Sequence, residues 1–555
     1  MAEHLLLIAL GPVQDFIMTA RSSGDLWFGS HLLSECSKAA ARAVAECENN
    51  AQALIFPAPK DTDELCINSS LNVANVILAQ VQGVPQEVAE NARAAIRQTI
   101  QTYWQGAQVP AEVRNVAAEQ QIEDFIEFYW ASTPHRGDYR AARQRVYALM
   151  AARKTTRNFA AVSWGSAAPK SSLDGVRESV IPESEYPKPG ASRAQRQRIA
   201  RQLFFRYGVR GGERLCAVGL LKRRAMHKNR PGFSSTSHIA VQPLLERPIL
   251  DLEGARQRLE ELKQLLGTDK LERVSGAEHP LLGDLDASVL LPERLREYVE
   301  DDQHFEQAKA CVRDVLWSAY KVREAPVYYT LLHADGDRMG KVIDQLGSAE
   351  AHQEFSKKLS GFAARAKQII EEHGGCTVFV GGDDVLAYLP LHRALKCATV
   401  LAKCFAKNLE DYKIQEQGVE HSPTLSAGLV IAHYLEPLQD VLEAARAAEK
   451  TAKKTRNALA LSLLKRSGAP LTISGQWDAL VARLQYFCRL HQQDLVPDGA
   501  AYELRQLAST LEPSEGAAAK AEAVRILRRK KAKQGTTKLE SSVLDEIRSY
   551  IEENT

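Results

Sequence analysis

Residues 327–343 read VYYTLLHADGDRMGKVI and residues 376–390 read CTVFVGGDDVLAYLP: two apolar strand signals, each running into carboxylates at a glycine turn. Between them EFSKKLSGFAARAKQIIEEHGG (354–375) has helical spacing, and after them come a helix (391–409), the strand TLSAGLVIAHY (424–434) and a further helix (435–457). The order β-α-β-β-α-β is that of a ferredoxin-like palm. In such a unit the first strand lies beside the hairpin of the second and third. Asp335, ending strand one, therefore meets Asp383 or Asp384 in the hairpin turn, although 48 residues separate Asp335 from Asp383.

That convergence carries chemistry. Hard cations such as Mg²⁺ take oxygen ligands, and adjacent acids on one strand point to opposite faces, so a two-metal site needs carboxylates from separate strand ends. Asp335, Asp383 and Asp384 are the metal-holding and catalytic candidates, with Mg²⁺ or Mn²⁺ as the ion and a nucleoside triphosphate as the substrate class. Gly336, Gly381 and Gly382 let a nucleotide approach the backbone, and Lys341, Lys453 and Lys454 are candidate triphosphate contacts. Ser426 borders the same strand ends, where close packing is its competing use. Gly-Gly-Asp-Asp is also a good plain hairpin turn, and the second carboxylate site tips the reading toward function.

The remaining chain sets the frame. At about 150 residues per domain, 555 residues predict three or four domains. Composition is ordinary for a soluble chain, with 45% hydrophobic and 25% charged residues and a net charge of +2. Nine scattered cysteines without a CxxC pair argue for a reducing compartment, so cytoplasmic location is expected. No run approaches the roughly 20 apolar residues of a membrane span, and no membrane partner is expected. Neither HExxH nor a P-loop nor a His-Asp dipeptide occurs, which removes the motifs of metalloproteases, P-loop ATPases and HD phosphohydrolases. Residues 188–230 hold 13 Lys or Arg against one acid, Glu213; this segment is either a phosphate-binding patch or a solvated connector. The run RILRRKKAK (525–533) reads as a solvated helix face.

GPVQDFIMTARSSGDLWFGSHLLS (11–34), SLNVANVILAQV (70–81), GERLCAVGLLKR (212–223), FSSTSHIA (233–240), LLHADGDRMGKVID, FVGGDDVLAYLPL and SAGLVIAHYLEPLQD together resemble the large palm-domain subunit of type III CRISPR effector complexes, of the Cmr (III-B) sort. The resemblance implies an α+β fold with two ferredoxin-like, cyclase-like palms, an intervening helical domain and a C-terminal helical domain. The expected divisions are a first palm at 1–165, a basic connector at 166–248 with a degenerate zinc knuckle and a strand completing that palm, a helical domain at 249–325, the second palm at 326–470 and C-terminal helices at 471–555. It further implies synthesis of cyclic oligoadenylates from ATP when target RNA pairs with the guide RNA of the assembled complex. Partners are then the other subunits, guide RNA and target RNA. Nucleotides in that family lie between the palms, which makes Gly11, Gln14, Ser30 and Ser34 pocket candidates.

Two departures stand out. The chain starts directly at the first palm, so DNA cleavage by an HD domain is not expected. Ser171 and Asp174 stand where thiols of a zinc knuckle are expected, so no zinc is expected. Open alternatives are a catalytically idle nucleotide-binding scaffold, adenylyl transfer to another small acceptor, and a stand-alone diguanylate cyclase, which leaves the first palm unexplained.

Overall fold

The computed structural model describes residues 3–156, 167–210, 212–229, 233–268, 271–274, 278–299, 301–416, 418–493, 496, 498–510 and 516–529. The basic run 525–533 therefore lies outside the described residues beyond 529. The chain forms two compact units, Met1–Ser474 and Gly475–Thr555.

The first palm comprises β1 (His4–Gly11), α1 (Val13–Met18), α2 (Ser23–Cys47), β2 (Leu54–Phe56), β3 (Val76–Val81), α3 (Pro85–Gly106), α4 (Val116–Asp124), β4 (Glu127–Pro134) and α5 (Tyr139–Thr155). Its sheet order is β2-β3-β1-β4, with β1 antiparallel to both neighbours. β1 is an unbroken apolar run because both its faces are covered. Leu6, Ile8 and Leu10 join the core shared with α2 and α3, while Leu5, Leu7 and Ala9 pack with Tyr139, Ala142 and Val146 of α5. Helices thus lie on both faces of this sheet. A capping box fixes the start of α2: Ser22 Oγ accepts from the Asp25 N–H at 3.1 Å and Asp25 Oδ2 accepts from the Ser22 N–H at 3.1 Å.

The connector and helical region contribute α6 (Arg193–Tyr207), α7 (Ala217–Asn229), α8 (Thr236–Leu245), α9 (Leu252–Leu266) and α10 (Asp302–Tyr320). The run LCAVGLLKR, expected to be a strand completing the first palm, is instead the start of α7. It is buried on every side: Ala217, Leu220, Leu221 and Ala225 are 2% exposed or less, and even Lys222 and Arg223 are buried. Periodicity carries no signal in such a run. The edge strand is β4, whose register against β1 runs from His4–Pro134 to Gly11–Glu127. At the degenerate knuckle, Asp174 pairs with Arg177 at 3.0 Å and accepts from the Cys216 thiol at 3.7 Å.

The second palm consists of β5 (Tyr328–Gly336), α11 (Met339–Gln345), α12 (Ala349–Glu372), β6 (Cys376–Gly381), β7 (Asp384–Pro390), α13 (Leu391–Asn408), the small hairpin β8 (Ile414–Glu416) and β9 (Val419–His421), β10 (Leu425–His433), α14 (Leu438–Thr455), β11 (Ala458–Leu463) and β12 (Leu471–Gln476). The sheet order β12-β11-β10-β5-β7-β6 contains the ferredoxin-like core β10-β5-β7-β6. β11 runs parallel to β10 after the crossover helix α14. The sheet therefore extends past the expected boundary at 470, and the C-terminal helices begin only at Trp477. Along β5, Tyr329 and Leu331 belong to the core shared with α14 and the first palm, so His333 and Asp335 alternate onto the same face. α12 also anchors the palms to each other: Tyr139 Oη and His352 Nδ1 share a hydrogen bond at 2.6 Å, and Gln353 donates to the Gln52 and Leu54 carbonyls at 2.8 and 2.9 Å.

The second unit, described by itself, holds α15 (Trp477–Gln492), α16 (Asp498–Thr510) and α17 (Gly516–Arg529).

Candidate active site between two palms

Register brings the acids together. β5 pairs antiparallel with β7, the last ladder pair being Ala334 with Val385, so Asp335 comes level with Asp384; Gly381 pairs with Asp384 across the hairpin. Gly382 has φ +66°, the left-handed conformation the tight turn needs. Gly336 is required for a different reason: a Cβ there would lie 2.8 Å from Asp383 Cβ. At Gly381 a Cβ would strike the Phe379 ring. These glycines serve the close approach of one chain segment to another.

Burial and mutual repulsion govern the electrostatics. Burial, then the Asp335 charge, pushes Asp383 above the usual carboxylate range, and burial with Asp335, Asp383 and Glu449 does the same to Asp384. Lys453 of α14 bonds the Asp335 carboxylate and donates to the Gly336 carbonyl at 3.0 Å. Burial depresses this lysine, but its bond to Asp335 outweighs that and holds it above its ordinary value. His333 Nε2 lies 3.5 Å from Asp384 Oδ1. Burial first, then Arg446 and Lys453, holds the imidazole down at about 4 and therefore neutral.

Asp335, Asp383, Asp384 and His333 wall a cavity of about 440 Å³ together with Val13, Gln14, Ile17 and Asn75 of the first palm and Phe379 and Arg446 of the second. Its size is that of a small-molecule site, about 300–1,000 Å³. Phe379 also lines a neighbouring cavity of about 500 Å³, and there Ser30 and Ser34 are found. Ser34 Oγ already accepts from the Val73 N–H at 3.0 Å. Gly11 ends β1 against Glu127, and the turn after it delivers Gln14 to the first cavity.

Two expectations, for one lysine and one serine, change. Lys341 bonds Glu416 at 2.7 Å, and with Arg338 it holds that carboxyl down at about 2, so it is committed to the β8 strand. Ser426 is fully buried and donates to Asp337 at 2.9 Å, making it a support for Asp337 and not a nucleotide contact. Thr424 Oγ1 and the Asn457 N–H also bond Asp337, at 2.8 and 2.9 Å, which takes the second acid of HADGD out of the cluster. Lys454 is exposed beside Lys453 on the last turn of α14.

His333, Glu449 and Arg446 join the site without having been singled out. Two signals pointed to them: His333 stands two residues before Asp335 on one strand, and Glu449 and Arg446 stand four and seven before Lys453 on one helix face. Gly428 lets α14 come close, since a Cβ there would meet the Glu449 backbone N at 2.5 Å.

Among the described residues no three acidic, His or Cys side chains already form a ready metal-ligand set. The Lys453 ammonium is the cation now bonded to Asp335. The donors nevertheless fit a hard divalent ion: Asp384 Oδ1 is buried without a hydrogen-bond partner, and the neighbouring negative charges raise the proton affinity of Asp383 and Asp384.

Two ferredoxin-like palms with acids beneath a shared cavity define a two-palm protein. Residues 328–460 match the family model for the Cas10/Cmr2 second palm domain, and residues 5–109 match that for the N-terminal part of the CRISPR-associated protein Cmr2. Both models describe parts of Cmr2-type proteins, and they match separate segments of this chain. It is 24% identical to the Cmr2 subunit of the Pyrococcus furiosus Cmr system, over 99% of this chain and 72% of that one. In fold it is similar to a chain of the type III-B Cmr-beta complex in its apo state, with a TM-score of 0.65 at 13% identity over 97% of this chain and 78% of that one. It is likewise similar to a chain of Cmr-beta bound to cognate target RNA, with a TM-score of 0.61 at 12% identity over 97% and 79%.

Proposed function

We propose that this chain is the catalytic large subunit of an RNA-guided type III-B complex that joins ATP into cyclic oligoadenylates when target RNA pairs with the guide. The observation that carries this reading is the meeting of Asp335 with Asp383 and Asp384 under a cavity walled by both palms. In each round the 3′-oxygen of one adenosine nucleotide attacks the α-phosphorus of another. The bond from α-phosphorus to the bridging oxygen breaks, pyrophosphate departs, and the hydroxyl proton passes to solvent.

Asp335, Asp383 and Asp384 would hold Mg²⁺ or Mn²⁺, which supplies Lewis acidity and lowers the pKa of the attacking hydroxyl. Lys453, released from Asp335, would be the phosphate contact nearest the acids. Val13, Ile17 and Phe379 supply apolar wall that would limit water at the phosphorus.

The test is ATP turnover by the assembled complex with and without complementary RNA, products separated by mass spectrometry, repeated with Asp383→Ala and Asp384→Ala together. RNA-dependent cyclic products lost in the double variant support the reading. Synthesis that survives the double change overturns the site, and a non-cyclic adenylylated product moves the reading to another acceptor.

A further inference from the structure

Helix α6 stands out on charge and exposure. In 15 residues it carries five arginines and no acid, and it buries only Leu203 and Tyr207. At its C-terminal end Phe204 and Phe205 are 39% and 58% exposed, with ring centroids 5.7 Å apart and edge to face. Arg210 lies over the Phe204 ring at 5.6 Å.

Two cavities, of about 430 and 290 Å³, meet beside this helix at Phe204, Arg210 and Glu272. Seven arginines and three glutamates line them, and within or beside the groove Arg210 pairs with Glu272, Arg294 with Glu297, Arg296 with Asp302 and Arg223 with Asp25 and Glu213, so the unbalanced charge lies on α6 itself. One end is marked by Arg193 and Arg201 of α6, the other by Arg21 and Arg294. Surface apolar rings within an arginine-rich groove are costly to leave in water, and their chemistry matches one kind of partner. Phosphates neutralise a row of guanidinium groups, and unpaired bases stack on exposed aromatic rings and arginine planes. An acidic protein would satisfy the charge and leave the rings without a stacking partner.

We infer that α6 and the groove beside it are a binding track for single-stranded RNA, with Phe205 as a base-stacking platform and Arg193 and Arg201 as phosphate contacts. The track is separate from the carboxylate cavity, and the inference rests on the proposed function only for which RNA would be bound in the assembled complex.

The test is fluorescence anisotropy of the full chain with a 5′-fluorescein-labelled, unstructured 20-nucleotide RNA across a salt series. Phe205→Ala is expected to weaken binding about 5- to 150-fold, from a stacking contribution of about 1–3 kcal/mol per base. Arg193→Gln with Arg201→Gln is expected to lower the slope of log affinity against log salt by about 0.7 for each phosphate no longer neutralised. Lys403→Gln with Lys407→Gln, on the exposed face of α13, serves as the charge-matched control and should leave binding within twofold. Asp383→Ala with Asp384→Ala should abolish ATP turnover and keep RNA binding, which separates this inference from the catalytic one. Wild-type affinity in Phe205→Ala, an equal loss in the α13 control, or displacement of the RNA by poly-glutamate as readily as by unlabelled RNA overturns the track. The last outcome would mark the surface as a protein-docking face. All of the substituted side chains on α6 are exposed, and an unchanged melting temperature confirms that each variant is folded.

Discussion

Gly336 and Asp383 touch across the junction of β5 and the β6–β7 turn: any Cβ on residue 336 would fall 2.8 Å from Asp383 Cβ and 2.9 Å from its Oδ2. The two halves of the carboxylate site are thus held together by the absence of a side chain. Gly336→Ala must push the acidic turn away. A destabilisation of about 1–3 kcal/mol is expected from overpacking. A shift near 1 Å at reacting groups costs on the order of 100-fold in rate. Turnover of ATP and the melting temperature, measured on the same preparation, check both.

Asp335 and Asp337 are expected to separate function from stability. Asp337 is buried and accepts from Ser426, Thr424 and the Asn457 backbone, so Asp337→Ala leaves buried donors unpaired and should cost about 2–4 kcal/mol. Asp335 is about a third exposed and faces other acids, so Asp335→Asn should change stability by less than about 1 kcal/mol while removing activity. Urea melts of the two variants give the ordering, and a larger loss in Asp335→Asn would reverse the assignment.

Much of this was legible in the sequence. Chain order alone placed both palm strands and the hairpin, because antiparallel neighbours with short turns leave few topologies. The acids were legible because a strand's end and a hairpin's bend are fixed points in that topology. Lys341 and Ser426 were misplaced because local spacing does not reveal Glu416 or Asp337, their actual partners from elsewhere in the fold. α7 was misread because a segment buried on every side has no periodicity to distinguish helix from strand. β4 escaped notice as an edge strand with mostly half-exposed residues, and β12 because it is mostly exposed.

His352 predicts an acid sensitivity at the contact between palms. Burial, with Arg143 nearby, holds its imidazole down at about 4, against about 6.5 in an unfolded chain. A depressed folded-state value means the stability is fully present above pH 6.5 and is lost as pH falls toward 4, because the unfolded chain takes up the proton first. The loss amounts to on the order of 3 kcal/mol. His352→Gln should therefore show a smaller drop in melting temperature between pH 7 and pH 5 than the native chain, and equal drops would count against this role.

Lys222 links the connector to the cavity between the palms. From α7 its buried ammonium donates to the Phe16 and Thr19 carbonyls, the latter at 3.0 Å, and so fixes α1, which supplies Gln14 and Ile17 to the cavity wall. Lys222→Met keeps the bulk but leaves these carbonyls without their donor. The expected cost is about 2–3 kcal/mol with a rise in KM for ATP, read from steady-state kinetics at permissive temperature.

The most direct test of the carboxylate site is Mn²⁺ binding followed by electron paramagnetic resonance, on the full chain with a non-hydrolysable ATP analogue. Bound Mn²⁺ in the native chain, lost in each of Asp335→Asn, Asp383→Asn and Asp384→Asn, is the predicted result. Undiminished Mn²⁺ binding in Asp335→Asn would contradict the claim that acids from two distant parts of the chain hold one metal site.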